Sequence, residues 1–217
     1  MATWLTHLRI AEKIKEKIVD IRLSYLMLGS IAPDSGVPDE TYRNYNPSKE
    51  VTHFATKEKE MEGKSIIDLE GFYEKHLAPS KILTRSDNTR SFLWGYYFHL
   101  ITDDKWIEFI APYKQTYEEE KQEEDFVSAM RDEMYSLDFL HLDHNSYDII
   151  EKFKNIDANV NFFNEFESSY IYECQKRIID YYEKERYVLE REYRFFSSEK
   201  IDGFINEVAH YCIDILL

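Results

Sequence analysis

The stretch from Arg90 to Trp106 constrains the fold more than any other part of the chain. Its sequence, RSFLWGYYFHLITDDKW, is apolar on nearly every side when it is wound as a helix. A helix of this kind belongs in the interior, because it has no continuous polar face to turn toward water. We therefore expect a central helix over this stretch, with other helices packed around it.

Helix-breaking residues are scarce, which favours helices in the rest of the chain as well. Six glycines and five prolines among 217 residues are far fewer than the turns of an all-β protein need. Apolar residues recur every three or four positions in most segments, as they do along one face of a helix. The pattern predicts a single all-α domain over residues 1–217, a multi-helix bundle. The expected helices are one that carries Leu8 to Ile21, residues 66–76, the central helix ending at Pro112, and residues 113–135, 147–155, 162–196 and 201–216, with a turn at 137–145.

The charge and cysteine content of the chain limit its partners and its compartment. The formal net charge is −15, and binding along a nucleic acid needs clustered Lys and Arg, so we expect no nucleic-acid surface. No run of about 18 apolar residues occurs, so we expect no membrane span. The N-terminal segment lacks the apolar run of a secretory signal. Because the two cysteines, Cys174 and Cys212, form no CxxC motif, the sequence predicts a reduced, cytoplasmic protein.

His99 and Asp103 lie four residues apart inside the apolar central helix. This spacing places both side chains on one face of the helix, one turn apart. A buried carboxylate is costly unless it is paired or binds a metal. The two residues are therefore either a hydrogen-bonded couple in the core or part of a metal site.

Three more residues could complete such a site. His7 lies on the apolar side of the first helix, Asp34 lies in a turn between prolines, and His53 begins an ordered-looking segment. Each alone is more often a core, turn or capping residue. With His99 and Asp103 they offer three imidazoles and two carboxylates, a donor set suited to zinc and, less selectively, to manganese or iron.

Four segments in this order resemble the zinc-dependent phospholipase C family, which is similar in fold and metal core to the S1/P1 nucleases. They are THL at residues 6–8, LGSIAPD at 28–34, THF at 52–54 and GYYFHLITD at 95–103. The resemblance covers about the first half of the chain. It implies an all-α bundle of the phospholipase C/P1 nuclease type and a zinc-dependent phosphoester hydrolase.

The same resemblance implies a set of ligands. Asp34, His53, His99 and Asp103 would surround one zinc ion, and His7 would hold a second ion with Asp103 as the bridge. Asp34 would also serve as the general base that accepts a proton from the attacking water. The substrate would be a small-molecule or lipid-headgroup phosphoester, whose negative charge the metal neutralises in this acidic chain.

The chain departs from the family at two places. Secreted members use the main chain of an N-terminal tryptophan as a metal ligand, whereas Trp4 lies too close to His7 to do so. They also carry further histidines after the His-x-x-x-Asp pair, whereas here the next histidine is His141. His144 and Asp148 are four residues apart beside it, so these three residues are the candidates for a second metal site.

Two alternatives belong to other classes. HD-type phosphohydrolases also use buried His and Asp, but they need an adjacent His-Asp dipeptide, and the sequence has only the reverse order at Asp143-His144. A non-catalytic helical scaffold with a structural metal and an acidic surface for a partner stays open.

Overall fold

A computed structural model describes residues 1–40, 44–61, 64–119, 126–184, 188–189 and 192–217. Most of the structure is helical, which confirms the predicted all-α class. None of the helices in these ranges is both long enough and apolar enough to cross a membrane. The helices are α1 (Trp4–Lys17), α2 (Leu23–Ile31), α3 (Lys49–Thr52), α4 (Leu69–Phe72), α5 (Pro79–Ile82), α6 (Asp87–Glu119), α7 (Phe126–His144), α8 (Asp148–Lys154), α9 (Ser168–Lys184) and α10 (Ser198–Leu216).

Shorter elements connect these helices. A 3-10 turn, Ala32–Ser35, follows α2 directly, and a π-helical turn, Tyr73–Leu77, extends α4. Two antiparallel hairpins lie between α2 and α4, and the sequence pattern did not predict either of them. The first pairs β1 (Val37–Pro38) with β2 (Tyr45–Asn46), and the second pairs β3 (Ala55–Met61) with β4 (Lys64–Ile67).

The central helix α6 touches α2 backbone to backbone. A Cβ atom on Gly29 would lie 2.0 Å from the carbonyl oxygen of Phe92, and one on Gly95 would lie 2.2 Å from that of Leu26. Only glycine fits at both positions, because a methyl group would overlap a main-chain atom that cannot move alone. The pair of glycines therefore fixes how closely α2 and α6 approach and which turns face each other.

Helix α1 begins at Trp4, directly after its N-cap residue Thr3. The Thr3 side-chain oxygen accepts a hydrogen bond from the Thr6 main-chain N–H at 3.3 Å. Leu5, Leu8 and Ile14 are fully buried on the face that packs against α2 and α10. His7 lies among them, so the first turns of α1 carry this histidine into the core.

The predicted end of the central helix at Pro112 is wrong. Helix α6 continues through this proline, although a proline inside a helix removes one main-chain hydrogen bond and costs about 3 kcal/mol. Beyond it, the ring of Tyr113 packs 5.2 Å from that of Phe196, and the ring of Tyr117 packs 5.5 Å from that of Phe195, centroid to centroid. Burial of these rings offsets the cost of the proline.

Several other predicted boundaries are also wrong. The first helix ends at Lys17, so Ile21 lies outside it. The helix predicted over residues 113–135 is divided, in the described residues, between the end of α6 and the start of α7. Residues 66 and 67 belong to β4, because the side chain of Asp68 accepts the Gly71 N–H at 3.1 Å and starts α4 only after them. Residues 137–144 continue α7 instead of turning, since Leu137 and Leu142 extend its buried face.

The long helix predicted over residues 162–196 is helical only at Ser168–Lys184 in the described residues. Past it, the main-chain N–H groups of Arg194 and Phe195 donate to the buried carboxylate of Glu133 at 2.6 and 2.8 Å. This side chain supplies the hydrogen bonds that a helix would otherwise provide.

A buried carboxyl group joins the start of α1 to α7 and α9. Asp138 accepts hydrogen bonds from the Thr3 hydroxyl at 3.1 Å and from the Tyr182 hydroxyl at 2.7 Å. Burial raises the pKa of Asp138 to about 7, and the two hydrogen bonds offset this rise only in part.

We predict that Gly95→Ala lowers the free energy of unfolding by about 1–3 kcal/mol, because the new methyl group forces α2 and α6 apart. Gly203→Ala is the matched control, since this exposed glycine in α10 has no atom within 4 Å of its added Cβ. The control variant should gain about 0.5–1 kcal/mol. Urea denaturation followed by circular dichroism measures both, and equal stability of the two variants would refute the close contact.

We also predict that Asp138 makes the metal-free protein less stable as the pH rises. A carboxyl with a raised pKa binds its proton more tightly when folded, so its contribution is complete below the ordinary pKa of 3.8 and is lost as the pH rises toward about 7. The loss is at most about 1.4 kcal/mol per pH unit. Urea denaturation at pH 5 and 7.5 should show a smaller decline in Asp138→Asn than in the wild type; parallel declines would contradict the prediction.

Candidate metal centre

Four side-chain atoms from three separate segments lie close together, and two of them, from His99 and Asp103, belong to the same helix α6. His53 Nε2 lies 3.5 Å from Asp34 Oδ1, 3.6 Å from Asp103 Oδ2 and 3.4 Å from His99 Nε2. His99 Nε2 lies 3.5 Å from the same Asp103 oxygen. Two ligands bound tetrahedrally to one zinc ion at bond lengths of about 2.1 Å lie about 3.4–3.5 Å apart. These four contacts therefore have the spacing of neighbouring zinc ligands.

His99 is oriented by the contact between α2 and α6. Its Nδ1 donates to the main-chain carbonyl oxygen of Ser30 at 2.7 Å. We assign the proton to Nδ1 because the carbonyl can only accept, and this leaves Nε2 with a free lone pair in the neutral ring. A backbone partner of this kind commonly holds a metal-binding histidine in place.

Asp34 lies on the 3-10 turn that follows α2, and helix α9 holds this turn from the other side. The guanidinium group of Arg177 donates to the Asp34 main-chain oxygen at 2.8 Å, and the thiol of Cys174 lies 3.4 Å from the same oxygen. Sequence reasoning missed Arg177 because it lies far along the chain, in a helix rich in charged residues. No motif marks it.

His53 ends the short helix α3, and its position depends on the next residue. Phe54 has a φ of 51°, in the left-handed region that non-glycine residues rarely adopt. Its ring packs 5.0 Å from the Phe72 ring, and its carbonyl oxygen accepts the Asp68 N–H at 2.9 Å. These contacts hold the strained residue, which directs the chain from His53 into the second hairpin.

His7 forms a second, overlapping group with His99 and Asp103. Its ring stacks on the His99 ring with centroids 3.9 Å apart, and its Nε2 lies 3.6 Å from Asp103 Oδ1. The main-chain N–H of Ala2 donates to the same oxygen at 3.0 Å. The described residues thus form two ligand groups, one of His7, His99 and Asp103 and one of Asp34, His53 and His99.

The charges in this cluster favour a bound cation. Burial raises the pKa of Asp34, but the charge of His99 and the hydrogen bond from His53 outweigh it and bring the pKa to about 2. The pKa of Asp103 also falls well below its usual value, because His99 and His7 outweigh the effect of burial. Burial lowers the pKa of His99, yet Asp103 and Asp34 raise it overall. The two carboxylates therefore favour a proton on His99, and a divalent cation would displace it.

Buried ligand atoms without hydrogen-bond partners also favour a bound metal. Both ring nitrogens of His7 and Oδ2 of Asp103 are buried without a hydrogen-bond partner among the described residues. Burial and His99 lower the pKa of His7 to about 4, so its ring is neutral at pH 7, the form that binds metals. Buried polar atoms without partners are costly, and a metal ion would satisfy Asp103 Oδ2 and one nitrogen of His7.

A cavity of about 630 Å³ opens onto this cluster. Two of the proposed ligands, His53 and Asp103, lie in its wall. The other lining residues are Met1, Asn44, Tyr45, Ser48, Lys49, Glu50, Ala55, Ile67 and Ile107. A smaller cavity of about 20 Å³, lined in part by Asp34 and His53, adjoins the same ligands.

The structure does not bring His141, His144 and Asp148 into one cluster. Ser146 and Tyr147 have φ values of 54° and 59°, so the chain turns between α7 and α8, and the predicted one-turn spacing of His144 and Asp148 is wrong. Among the described residues, none of the three belongs to a group of potential metal ligands. His141 and His144 instead line a cavity of about 330 Å³ with Arg9 and other residues.

Comparisons with known proteins give no match. No protein-family model, curated protein or solved structure matches this chain. The function is therefore argued from the geometry of the site.

We predict that the protein binds zinc through this cluster. Zinc should raise the melting temperature of the wild type, and His99→Ala or Asp103→Ala should weaken binding at least about 100-fold, because His99 belongs to both ligand groups and the Asp103 carboxylate lies within 3.6 Å of His7, His53 and His99. His210→Ala is the control, since this exposed histidine hydrogen-bonds to the Asn206 carbonyl of its own helix, away from the proposed ligands in the chain. Isothermal titration calorimetry of metal-free protein measures the affinity; wild-type affinity in either cluster variant would exclude the site.

Proposed function

We propose that this chain is a metal-dependent phosphoester hydrolase with a helical bundle of the phospholipase C/P1 nuclease type. The observation that carries the proposal is the convergence of Asp34, His53, His99 and Asp103, whose side-chain atoms make four contacts of 3.4–3.6 Å, beside a large cavity. Structural zinc sites are closed, whereas catalytic sites keep a position open to water and substrate. The cavity beside the ligands supports a catalytic site over a structural one.

A bound zinc ion would lower the pKa of a coordinated water and neutralise charge on the phosphate. Side chains of the protein accept the proton and hold the ligands in position. Asp34, ionised at neutral pH by its low pKa, accepts the proton of the attacking water at its carboxylate. The adjoining cavity of about 20 Å³ is large enough for one water beside Asp34 and His53.

The other ligands hold the geometry fixed during the reaction. The Ser30 carbonyl keeps the His99 ring in one orientation, and the Ala2 N–H fixes one oxygen of Asp103. Ligands fixed in this way need little rearrangement when charge develops on the phosphate. The acidic chain then needs few cationic side chains for an anionic substrate, since the metal supplies most of the positive charge.

The test is hydrolysis of bis(p-nitrophenyl) phosphate and p-nitrophenyl phosphate by the zinc-loaded protein. We expect p-nitrophenolate release from at least one ester, with a loss of at least about 100-fold in Asp34→Asn, because the proton acceptor is removed. His210→Ala should keep wild-type activity. Metal content by elemental analysis shows whether each variant still carries zinc.

Two results would reject the proposal that the protein is a hydrolase. A fully zinc-loaded wild type that hydrolyses no mono- or diester would favour the non-catalytic scaffold. Activity that persists unchanged in Asp34→Asn and in His99→Ala would place the reaction elsewhere or assign it to a contaminant.

A further inference from the structure

Lys49 lies one helical turn before the proposed ligand His53. The His53 main-chain N–H donates to the Lys49 carbonyl oxygen at 2.8 Å, which closes the turn of α3. Both residues line the large cavity, and both also line the small cavity beside Asp34. Lys49 therefore lines the same space beside the proposed ligands that a substrate could occupy.

The ammonium group of Lys49 has no anionic partner among the described residues. It lies 4.8 Å above the ring of Tyr45 and 3.6 Å from the sulfur of Met1. Several other lysines of this acidic chain pair with carboxylates, as Lys75 does with Glu165 at 2.7 Å. The charge of Lys49 is thus held at the cavity wall by an aromatic face and is available to an anion.

Part of the cavity is apolar. Ala55, Ile67 and Ile107 line it, together with the side chain of Met1. An apolar wall of this kind gains free energy by covering an apolar group of a ligand. A ligand that fits the cavity therefore has one anionic end and one apolar end.

We propose that Lys49 binds a phosphate oxygen of the substrate and that the cavity selects phosphoesters with an apolar or aromatic substituent. The substrate class rests on the proposed hydrolase function, whereas binding of the anion is measured independently of hydrolysis. A cationic headgroup such as choline is disfavoured, because its charge would lie close to that of Lys49.

The experiment is calorimetric titration of the zinc-loaded protein with phenylphosphonate, which cannot be hydrolysed as an ester. Lys49→Met should weaken binding about tenfold, the loss expected of one charge-assisted hydrogen bond. Lys49→Arg should restore most of the affinity. Lys17→Met, an exposed lysine at the end of α1, removes the same charge far from the cavity and should bind like the wild type.

Zinc content equal to that of the wild type shows that each variant keeps the metal centre. Wild-type affinity in Lys49→Met, or no binding of phenylphosphonate to the wild type, would overturn the proposal. Methylphosphonate should bind more weakly than phenylphosphonate, and equal binding would overturn the selection for an apolar substituent.

The same titration separates this inference from the proposed function. If phenylphosphonate binding depends on Lys49 while the wild type hydrolyses no ester, the anion site stands and the hydrolase proposal fails. If esters are hydrolysed and Lys49→Met changes neither the affinity nor KM, the hydrolase stands and the role of Lys49 is refuted.

Discussion

The backbone contact between α2 and α6, made at Gly29 and at Gly95, is the constraint on which the candidate metal centre depends. Because the backbones of α2 and α6 touch there, the carbonyl of Ser30 comes within hydrogen-bond distance of His99. The 3-10 turn that carries Asp34 starts where α2 ends, so its distance from α6 is set by the same contact. If the two helices lay farther apart, the Asp34 carboxylate, which follows α2, would move away from the His99 imidazole on α6. A change confined to either side chain would not restore the distance in a close-packed core.

The cluster itself works against the stability of the fold. His7, His99 and Asp103 are almost completely buried, and each would be better solvated in the unfolded chain. Two buried carboxylates beside each other repel, and only the neighbouring imidazoles compensate. The surrounding apolar core and the main-chain hydrogen bonds from Ala2 and to Ser30 hold the donors together all the same. A site assembled at a cost in stability is typical of a binding or catalytic centre, where function offsets what folding loses.

The sequence was sufficient to predict the parts of the structure that depend on local pattern. The all-round apolar stretch of α6 and the shared face of His99 and Asp103 both follow from periodicity. The errors have a tertiary cause. Pro112 does not end α6 because aromatic rings beyond it are buried against Phe195 and Phe196, and such packing between distant segments is invisible in a window of sequence. The turn between His144 and Asp148 depends on two left-handed residues, neither of which is a glycine.

The two halves of the chain contribute to the site in different ways, and this explains what the sequence could reveal. All five proposed ligands lie in the first half, and their chemistry requires particular side chains, so their order can be recognised. The second half acts on this centre through contacts that many sequences could make: Arg177 holds the main-chain oxygen of Asp34, and Asp138 holds the hydroxyl of Thr3 beside α1. A main-chain oxygen accepts a hydrogen bond from any suitably placed donor, so such contacts leave no fixed motif. The proposed ligands can therefore be predicted from the sequence. The hydrogen bonds that fix the distances between them become visible only in the folded structure.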